Sequence, residues 1–593
     1  MTYQTVYQFI TSQEENFKTA KIEVAGGWFW NFFDHVLTTV LYKNSKFIKN
    51  PNSSRPFKNI IRPILNLQYR AEGFDVKDIE LYVNEAKNYF KSFLIRKYHE
   101  KWARENSLDT FIDNMVESFV DFGGVLVKRM KNGVPDVVPL QRIAFCDQTD
   151  LLSGVIAEKH YFSPSELLET AEKSGWNMDK ARLLVELYEL KTSEFEKKEN
   201  YSNTQSATPS PYIEIYEVHG NLPAKWLYDN YEGKEYIPQV YICGFYKSDA
   251  TQTEGKDKEE KTGITLFSEE EKKPRYKLLL RDEIYGRALG LGGAEELFES
   301  QQWTNFAEIA KKNLLDAASK VLYQTADERF HTRNKTQNLE NGEIMVTEAG
   351  KPISQINTFP NSAALFERLV NDWEEHAKFI ASAEPPALGQ EPKSGTPFRL
   401  QALVVNQGLS IHEYRKGKIA TFLDEIYKDW ILPSLVSEIL KGKEFLAKLD
   451  VEEMQDISQR ISDNETNRMV LEKVLSGVLL SPEEIEAYRT LVKTEFQKGG
   501  NKKFIKILKD EFKNAPIDIK VNIAGKQSYL AQFVEKLGNI FQIIAANPAV
   551  LNDPRLTRIL NQMLEASNME PISLAEQPIV PQLEAPTPAA IPA

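Results

Sequence analysis

Three long segments with the repeat of an amphipathic helix lie in the second half of this chain, and they constrain its fold most. Residues 293–322, 361–384 and 398–449 each contain apolar side chains at intervals of three and four, which places them on one helical face. The stripes comprise Trp303, Phe306, Ala310, Leu314, Ala317 and Val321; Phe366, Leu369, Trp373, Ala377 and Ile380; and Ile419, Phe422, Leu423, Ile426 and Trp430. Gly408 and Pro433 predict bends in the third helix.

Two different connections separate these helices. The first, 323–360, is polar and rich in turn residues, with one short predicted strand at Glu343, Ile344, Met345, Val346 and Thr347. The second, 385–397, contains Pro385, Pro386, Gly389, Gly395 and Pro397. The first two prolines are expected to end one helix, Pro397 to begin the next, and the two glycines to leave the middle of the loop able to move.

The region before these helices mixes helices and strands. Residues 1–120 are predicted to be mainly helical, including a helix through Ile79, Tyr82, Val83, Ala86, Tyr89 and Phe90 that Gly123 and Gly124 end. A hairpin is predicted around "KNG" at 131–133, and strands at 212–222 and 235–247. Ser163 and Glu166 predict a helix start with Pro164 in its first turn. The sequence therefore predicts a predominantly helical α+β fold.

Composition excludes several classes of protein. The net charge of −12 does not fit a protein that binds nucleic acid over a broad basic surface. Cys146 and Cys243 cannot form a disulfide framework and are expected to be small buried residues of a cytoplasmically made protein. The N-terminus has no secretory signal pattern, and "GGWFWNFFDHVLTTVLY" is too short to span a bilayer. We expect a buried aromatic helix there rather than a membrane-surface helix.

Catalytic and ligand-binding motifs do not appear in the sequence. There is no G-x-x-x-x-G-K-[ST] phosphate loop, no H-E-x-x-H helix and no G-x-S-x-G elbow, and the seven histidines are scattered. "GRALGLGG" at 286–293 does not match a dinucleotide-binding pattern, so we interpret it as a flexible lead-in to the first long helix. The prediction is a protein without enzymatic activity, metal or cofactor.

The order of elements resembles the portal protein family of tailed bacteriophages over roughly Tyr285 to Glu438. "IYGRALGLGGAEELFESQQW" is similar to the lead into the first stem helix of that family. "NLENGEIMVTEAGKP" looks like its clip strand, and "AALFERLVNDWEEHAKFIASAEPPALGQ" like its return stem helix and the start of its channel loop. "GTPFRLQALVVNQGLSIHEYRKGKIATFLDEIYKDWILP" resembles the long wing helix.

The resemblance implies a domain organisation. A wing would occupy 1–292, a first stem helix 293–322, a clip 323–360 and a second stem helix 361–384. A channel loop would follow at 385–397, a long wing helix at 398–449, a helical crown at 450–570 and a Pro/Ala-rich tail at 571–593. Portal proteins form a ring, usually of twelve subunits, at one capsid vertex. The implied location is therefore the virion, after assembly in the host cytoplasm.

The resemblance also implies partners and sites. Double-stranded DNA would pass through the ring without sequence-specific contacts. The terminase large subunit, head-completion or adaptor proteins, tail proteins and the major capsid protein would bind its outside. Candidate DNA-channel residues are Lys311, Lys312, Lys320, Lys393 and Arg399, each of which could equally be a solvated surface side chain. The strand Glu343–Thr347 would pair between neighbouring subunits, or form a simple surface hairpin in a monomer.

Two alternatives remain open from the sequence. One is a different structural head-tail connector or scaffold protein, which the mass of the native assembly would separate from a portal. The other is a DNA-processing enzyme, such as a packaging ATPase or a nuclease built from distant carboxylates. The missing phosphate loop argues against the ATPase.

Overall fold

A computed structural model of the chain describes most of residues 5–441 and a few positions beyond. The described residues are 5–74, 76, 79–83, 89–130, 133–198, 212–227, 233–248, 260–271, 274–318, 322–326, 348–352, 354–356, 363–383 and 410–441, scattered positions within 459–494, and 519–523. The chain divides into two units, one of Met1–Val76 with Leu81–Lys520 and one of Lys77–Glu80 with Val521–Ala593.

The N-terminal elements are a helix, a hairpin and a second helix. They are α1 Val6–Thr19, β1 Ile22–Ala25, β2 Trp28–Trp30 and α2 Phe32–Lys43. The prediction of one buried aromatic helix here is therefore only partly right. Gly26 and Gly27 have positive φ and turn the chain into a hairpin whose Trp28 and Phe29 are exposed. The helix begins only after Asn31, whose side chain accepts a hydrogen bond from the Asp34 amide and caps it.

The next elements are α3 Ile61–Glu72, β3 Ile79–Val83, α4 Tyr89–Glu105 and α5 Leu108–Phe122. The predicted helix through Ile79 is wrong, because 79–83 is a strand paired with the strand Ile519–Ile523. Pairing with a segment far away in the sequence overrides the local helical spacing. Gly123, with φ of 75°, ends α5 as predicted.

Two antiparallel sheets follow. Their strands are β4 Gly124–Arg129, β5 Pro135–Val137, β6 Ile143–Phe145, β7 Ile156–Phe162, β8 Ile213–Pro223, β9 Tyr236–Ser248, β10 Glu260–Glu270 and β11 Tyr276–Leu280. The three-stranded sheet has the order β11-β4-β5, and the five-stranded sheet has the order β10-β9-β8-β7-β6. The predicted hairpin is confirmed as β4–β5, with Val127 opposite Val137.

Both faces of the five-stranded sheet are covered. Ile213 and Ile215 of β8 belong to a core shared with α6 Pro164–Ser174 and α7 Met178–Lys198, whereas Tyr216 and Val218 belong to the core beneath α1 and α2. This alternation follows from the period of two in a strand. The predicted capping box of Ser163 and Glu166 at α6 is confirmed. Cys243 is fully buried, and burial raises the pKa of its thiol, while Cys146 is half-buried.

A short helix, α8 Ala224–Leu227, lies between β8 and β9, and the helical half of the chain follows β11. It contains α9 Gly293–Glu296, α10 Phe298–Ala318, β12 Leu322–Gln324, β13 Ser354–Ile356, α11 Ala363–Ile380, α12 Ser410–Ile426 and α13 Leu432–Lys441. A π-helical turn, Tyr427–Ile431, joins α12 to α13. It lies directly before Pro433, which has no amide hydrogen to donate to the helix. The helix is thus irregular just before Pro433, where we predicted a bend, and Gly408, the other predicted bend, lies outside the described residues.

Tertiary packing confirms the apolar stripe of the third long helix. Ile419, Phe422, Leu423, Ile426 and Trp430 are all at most 5% exposed. The fold is α+β, with separate helices and sheets, and each strand pairing whose register is described is antiparallel. Among the described residues, no helix is both long and apolar enough to cross a membrane.

Candidate assembly interface

The lead-in to α9 is a fixed segment, so the predicted flexibility of "GRALGLGG" is wrong. Arg287 is 2% exposed and makes parallel hydrogen bonds to the two carboxylate oxygens of Glu295, at 2.8 and 2.7 Å. Its remaining donors reach the backbone oxygens of Leu289 and Gly290, at 2.8 and 2.7 Å. One side chain therefore ties the loop to the first turn of the helical region.

Close backbone packing explains two of the glycines in and near this segment. A Cβ on Gly290 would lie 2.6 Å from the Asp282 oxygen and 2.7 Å from the Gly123 oxygen. Gly123 itself has φ of 75°, and its Cβ would lie 2.3 Å from the Gly290 oxygen. Space excludes a side chain at both positions, and at Gly123 the left-handed backbone conformation also favours glycine. The end of α5 and the lead-in are thus locked together.

The base of α10 is attached to the segment before α3 through amide side chains. Gln301 is fully buried, accepts from the Ile60 amide at 2.9 Å and donates to the Lys58 oxygen at 2.7 Å. Asn305 accepts from the Lys58 amide at 3.2 Å. Lys58 also forms an ion pair with Glu374 of α11. These contacts fix the start of the helix pair α10–α11 to the rest of the unit.

The two helices of the pair pack antiparallel. Trp303 of α10 stacks on Trp373 of α11, with ring centroids 6.0 Å apart and planes 4° from parallel. Eight residues further along α10, Lys311 lies 3.1 Å from Glu367, which precedes Trp373 in α11. The far ends of the two helices lead into β12 and β13, which pair antiparallel between Leu322 and Ile356.

Large apolar side chains of this helix pair remain exposed. Phe306 is 57% exposed, Leu365 is 67% exposed and Phe379 is 84% exposed. Trp303 and Leu315 are also among the exposed apolar residues. Single exposed apolar residues are ordinary, but several on one helix pair make this surface a candidate for contact with another protein. We call Trp303, Phe306, Leu315, Leu365 and Phe379 the exposed apolar set.

Only two of the predicted DNA-channel residues lie in the described part of the chain. Lys311 is paired with Glu367 across the helices, and Lys312 lies 3.6 Å from Asp316 on its own helix. Their proposed contact with DNA stays a prediction. The other predicted site residues lie outside the described residues; they are Lys320, Lys393, Arg399, Pro385, Pro386, Gly389, Gly395, Pro397, Glu343, Ile344, Met345, Val346 and Thr347.

The helix α11 ends before the two prolines, Pro385 and Pro386, that were expected to end it. The helix ends at Ile380, and Ser382 adopts a left-handed conformation with φ of 52°. The Ala383 amide then donates to the Lys378 oxygen at 2.8 Å, which closes the last turn. Ala381 and Ala383 are buried, so the described chain is packed against the protein up to Ala383.

The start of α12, after that loop, is held by a buried ion-pair network. Glu72 of α3 is fully buried and accepts from Arg281 at 3.0 Å, and it lies 2.9 Å from His412 Nδ1. Arg415 of α12 donates to Asp282 at 2.5 Å. The sequence offers no local signal for this network, because its members lie up to 343 positions apart, from Glu72 to Arg415. The described residues on the two sides of the predicted loop, up to Ala383 and from Ser410, are therefore anchored.

A second charged cluster is likewise not apparent from the sequence. Glu158, His160 and Glu217 bring possible metal-binding atoms within 4.8 Å of one another, beside a groove of about 1460 Å³. Lys128 Nζ lies 3.0 Å from Glu158 and 2.6 Å from Glu217. Because an ammonium group already takes the position between the two carboxylates, we interpret these residues as a salt-bridge cluster rather than a metal site.

Comparison with known proteins identifies no family, because no family model and no curated sequence matches the chain.

Proposed function

We propose that this chain is the portal protein of a tailed bacteriophage. In this proposal it forms the ring at one capsid vertex, through which double-stranded DNA enters during packaging and leaves during ejection. The observation that carries the proposal is the antiparallel helix pair α10–α11, with its fixed base and its exposed apolar set. A ring subunit needs a rigid element whose apolar side chains are covered only by neighbouring copies.

The anchoring at the base of the pair supports this role. Arg287 holds α9, directly before α10, while Gln301 of α10 donates to the Lys58 oxygen and the Lys58 side chain pairs with Glu374 of α11. A DNA channel needs walls that hold their position while a long polymer moves past them. The buried, charge-assisted hydrogen bonds of Arg287 supply that rigidity better than exposed ion pairs would.

The net charge is compatible with a channel that does not retain DNA. Twelve copies with a charge of −12 each would carry roughly −144 in total, which repels phosphate. Local basic positions would then steer the duplex without binding it tightly. Our candidates for such positions are Lys311, Lys312, Lys320, Lys393 and Arg399.

The finer architecture belongs to the same proposal. Residues 1–292 would form the wing, α10 and α11 the stem, 323–360 the clip, and 450–570 the crown. The clip would bind the terminase motor during packaging and head-completion proteins afterwards. No chemistry is assigned to the ring itself, because the charged groups of the described clusters are engaged with one another.

The native mass of the purified protein tests the proposal. We expect mass photometry to give a narrow species near twelve times 67.9 kDa, and negative-stain images to show rings with a central hole. Rings with a central hole and a different small number of subunits would also support a portal. A stable monomer or dimer across salt and pH conditions would overturn the proposal, and a solid globular oligomer would favour a scaffold protein.

A further inference from the structure

Both ring nitrogens of His219 face carboxylate groups in the interior of the protein. Nε2 lies 2.9 Å from Glu217 Oε1, and Nδ1 lies 3.3 Å from Glu271 Oε1. The side chain is 2% exposed. An ionised carboxylate can only accept a hydrogen bond, and a neutral imidazole has a single N–H to donate. Both contacts are hydrogen bonds only if the ring is the doubly protonated imidazolium.

This histidine lies where the two sheets meet. His219 and Glu217 belong to β8 of the five-stranded sheet, and Glu271 directly follows β10. Tyr276 belongs to β11 of the three-stranded sheet and contacts the His219 ring edge to face, with centroids 4.9 Å apart. The imidazole thus touches side chains from both sheets.

A lysine from the three-stranded sheet completes the contact between them. Lys128 of β4 lies 2.6 Å from Glu217 and 3.0 Å from Glu158 of β7. The Tyr276 hydroxyl also donates to Glu158. Burial and the neighbouring carboxylates raise the pKa of Tyr276 well above its usual range, so the phenol stays neutral. We call the set Lys128, Glu158, Glu217, His219, Glu271, Arg275 and Tyr276 the sheet joint.

The charges of the sheet joint balance only if His219 is a cation. Its carboxylates are Glu158, Glu217 and Glu271, and its permanent cations are Lys128 and Arg275, whose Nε lies 3.6 Å from Glu271. Three negative charges therefore meet two positive ones, and the imidazolium supplies the third. Uncompensated charge inside a protein is costly, so this balance favours the protonated ring.

The remaining ionisable neighbours do not replace the positive charge that His219 supplies. His160 of β7 lies 3.2 Å from Glu217 and 3.5 Å from Glu158, but it uses one ring nitrogen and is 21% exposed. Asp136 of β5 and Arg142 interact at the edge of the cluster and carry opposite charges.

We propose that the sheet joint is a pH-sensitive contact, closed while His219 carries both ring protons and loosened when it loses one. The proposal rests on the local geometry and does not depend on the portal function. A loosened joint would let β8 and β11 separate more often, and it would open the groove that Lys128, His160, Glu217 and Arg275 line.

The sign of the pH effect follows from the folded and unfolded states. Burial alone lowers the pKa of His219, but the hydrogen bonds to Glu217 and Glu271 outweigh it and raise the pKa above its usual value. Glu217 stays ionised, because Lys128 and the histidines outweigh its burial and hold its pKa well below the usual range. The stabilisation is therefore fully present below about pH 6.5 and is lost as pH rises through the folded pKa.

Amide hydrogen exchange of the full-length protein tests the proposal between pH 6 and pH 9, after correction for intrinsic exchange. We expect protection of β8 and β11 peptides to fall as pH rises, by up to about tenfold for each unit by which folding raises the pKa. His219→Gln should remove this dependence, because glutamine cannot gain a proton. His160→Gln, in the same cluster, should retain it.

Superimposable pH profiles of wild type and His219→Gln would overturn the proposal. Should that variant fail to fold, exchange of the His219 ring C2 proton in the wild type gives its pKa directly. A value at or below about 6.5 would equally overturn the proposal, because the ring would then be neutral at neutral pH. A value clearly above it, with protection lost over the same pH range, would support it.

Discussion

Single buried charges fix the geometry of this protein where its elements meet. The Arg281 and Arg287 side chains are fully buried, and each is paired with a carboxylate, Glu72 for the first and Glu295 for the second. Burying one member of such a pair without the other costs several kcal/mol. The stability of the lead-in should therefore depend on the particular geometry of the guanidinium group.

We predict that Arg287→Lys lowers the free energy of unfolding by about 2–3 kcal/mol. Lysine keeps the charge, but it cannot form the two parallel bonds to Glu295 together with those to the backbone of Leu289 and Gly290. Urea unfolding measures the change. The matched control is Arg368→Lys, whose side chain is 81% exposed and 4.0 Å from Asp372, and it should leave stability unchanged. An equal effect of both substitutions would contradict the prediction.

His99 gives stability the opposite pH dependence from His219. Its Nε2 lies 2.8 Å from the Tyr427 hydroxyl, and burial lowers its pKa to about 4. The unfolded ring has a pKa of about 6.5, so the unfolded state binds a proton first as pH falls. The contribution of the neutral ring is present above pH 6.5 and is lost progressively toward pH 4.

We predict that wild type loses about 3 kcal/mol of stability through His99 between pH 6.5 and pH 4, and that His99→Gln does not. Chemical unfolding at half-unit pH steps gives the two curves. His376→Gln is the control, because that side chain is exposed, and its curve should follow wild type. A His99→Gln curve parallel to wild type would show that the ring does not titrate as proposed.

At the scale of elements, the helix pair combines a fixed base with apolar side chains that solvent reaches. Ala307, Val370 and Ala377 are buried, and Trp303 is the member of the exposed apolar set that stacks on Trp373 of the other helix. Substitutions of exposed side chains such as Phe379 can weaken assembly without unfolding the subunit. Substitutions at the buried positions would lower the stability of the subunit as well.

We predict that Phe379→Ser raises the concentration needed for half-maximal ring assembly by about tenfold or more, since burying a phenylalanine contributes about 1.5–3 kcal/mol. Mass photometry over a dilution series measures assembly, and circular dichroism checks the fold. Leu183→Ser on α7 is the control, because Leu183 is 47% exposed but lies outside the helix pair. Unchanged assembly of the Phe379 variant would remove this side chain from the interface.

At the scale of the whole molecule, the described residues that precede and follow the loop 385–397, up to Ala383 and from Ser410, are anchored. Ala383 closes α11 on one side, and His412 and Arg415 tie α12 to Glu72 and Asp282 on the other. This is the setting in which Lys393 would act if the proposed function holds.

We predict that Lys393→Glu leaves the ring intact but lowers the amount of DNA packaged or retained per particle, because a carboxylate would repel phosphate at the loop. Particle density and genome content measure the effect, and negative stain of the purified ring checks assembly. Glu391→Lys, two residues away, reverses the charge change and should not reproduce the loss. Full genome content with Lys393→Glu would refute a channel role for the loop.

The sequence by itself determined the elements whose signals are local. The stripe from Ile419 to Trp430, the capping box at Ser163 and the β4–β5 hairpin all depend on residues a few positions apart, and all three are present. Helical and strand periodicity express burial on one face, so such patterns predict where a core lies.

Tertiary structure alone decided the features that depend on distant partners. Residues 79–83 form a strand because the segment 519–523 pairs with them, and the glycine-rich lead-in is rigid because Asp121, Gly123 and Asp282 press against it. The contact of the His219 ring with a second carboxylate depends on Glu271, 52 positions away. No local pattern encodes such contacts, because backbone pairing, close approach and charge balance arise only once the chain has folded.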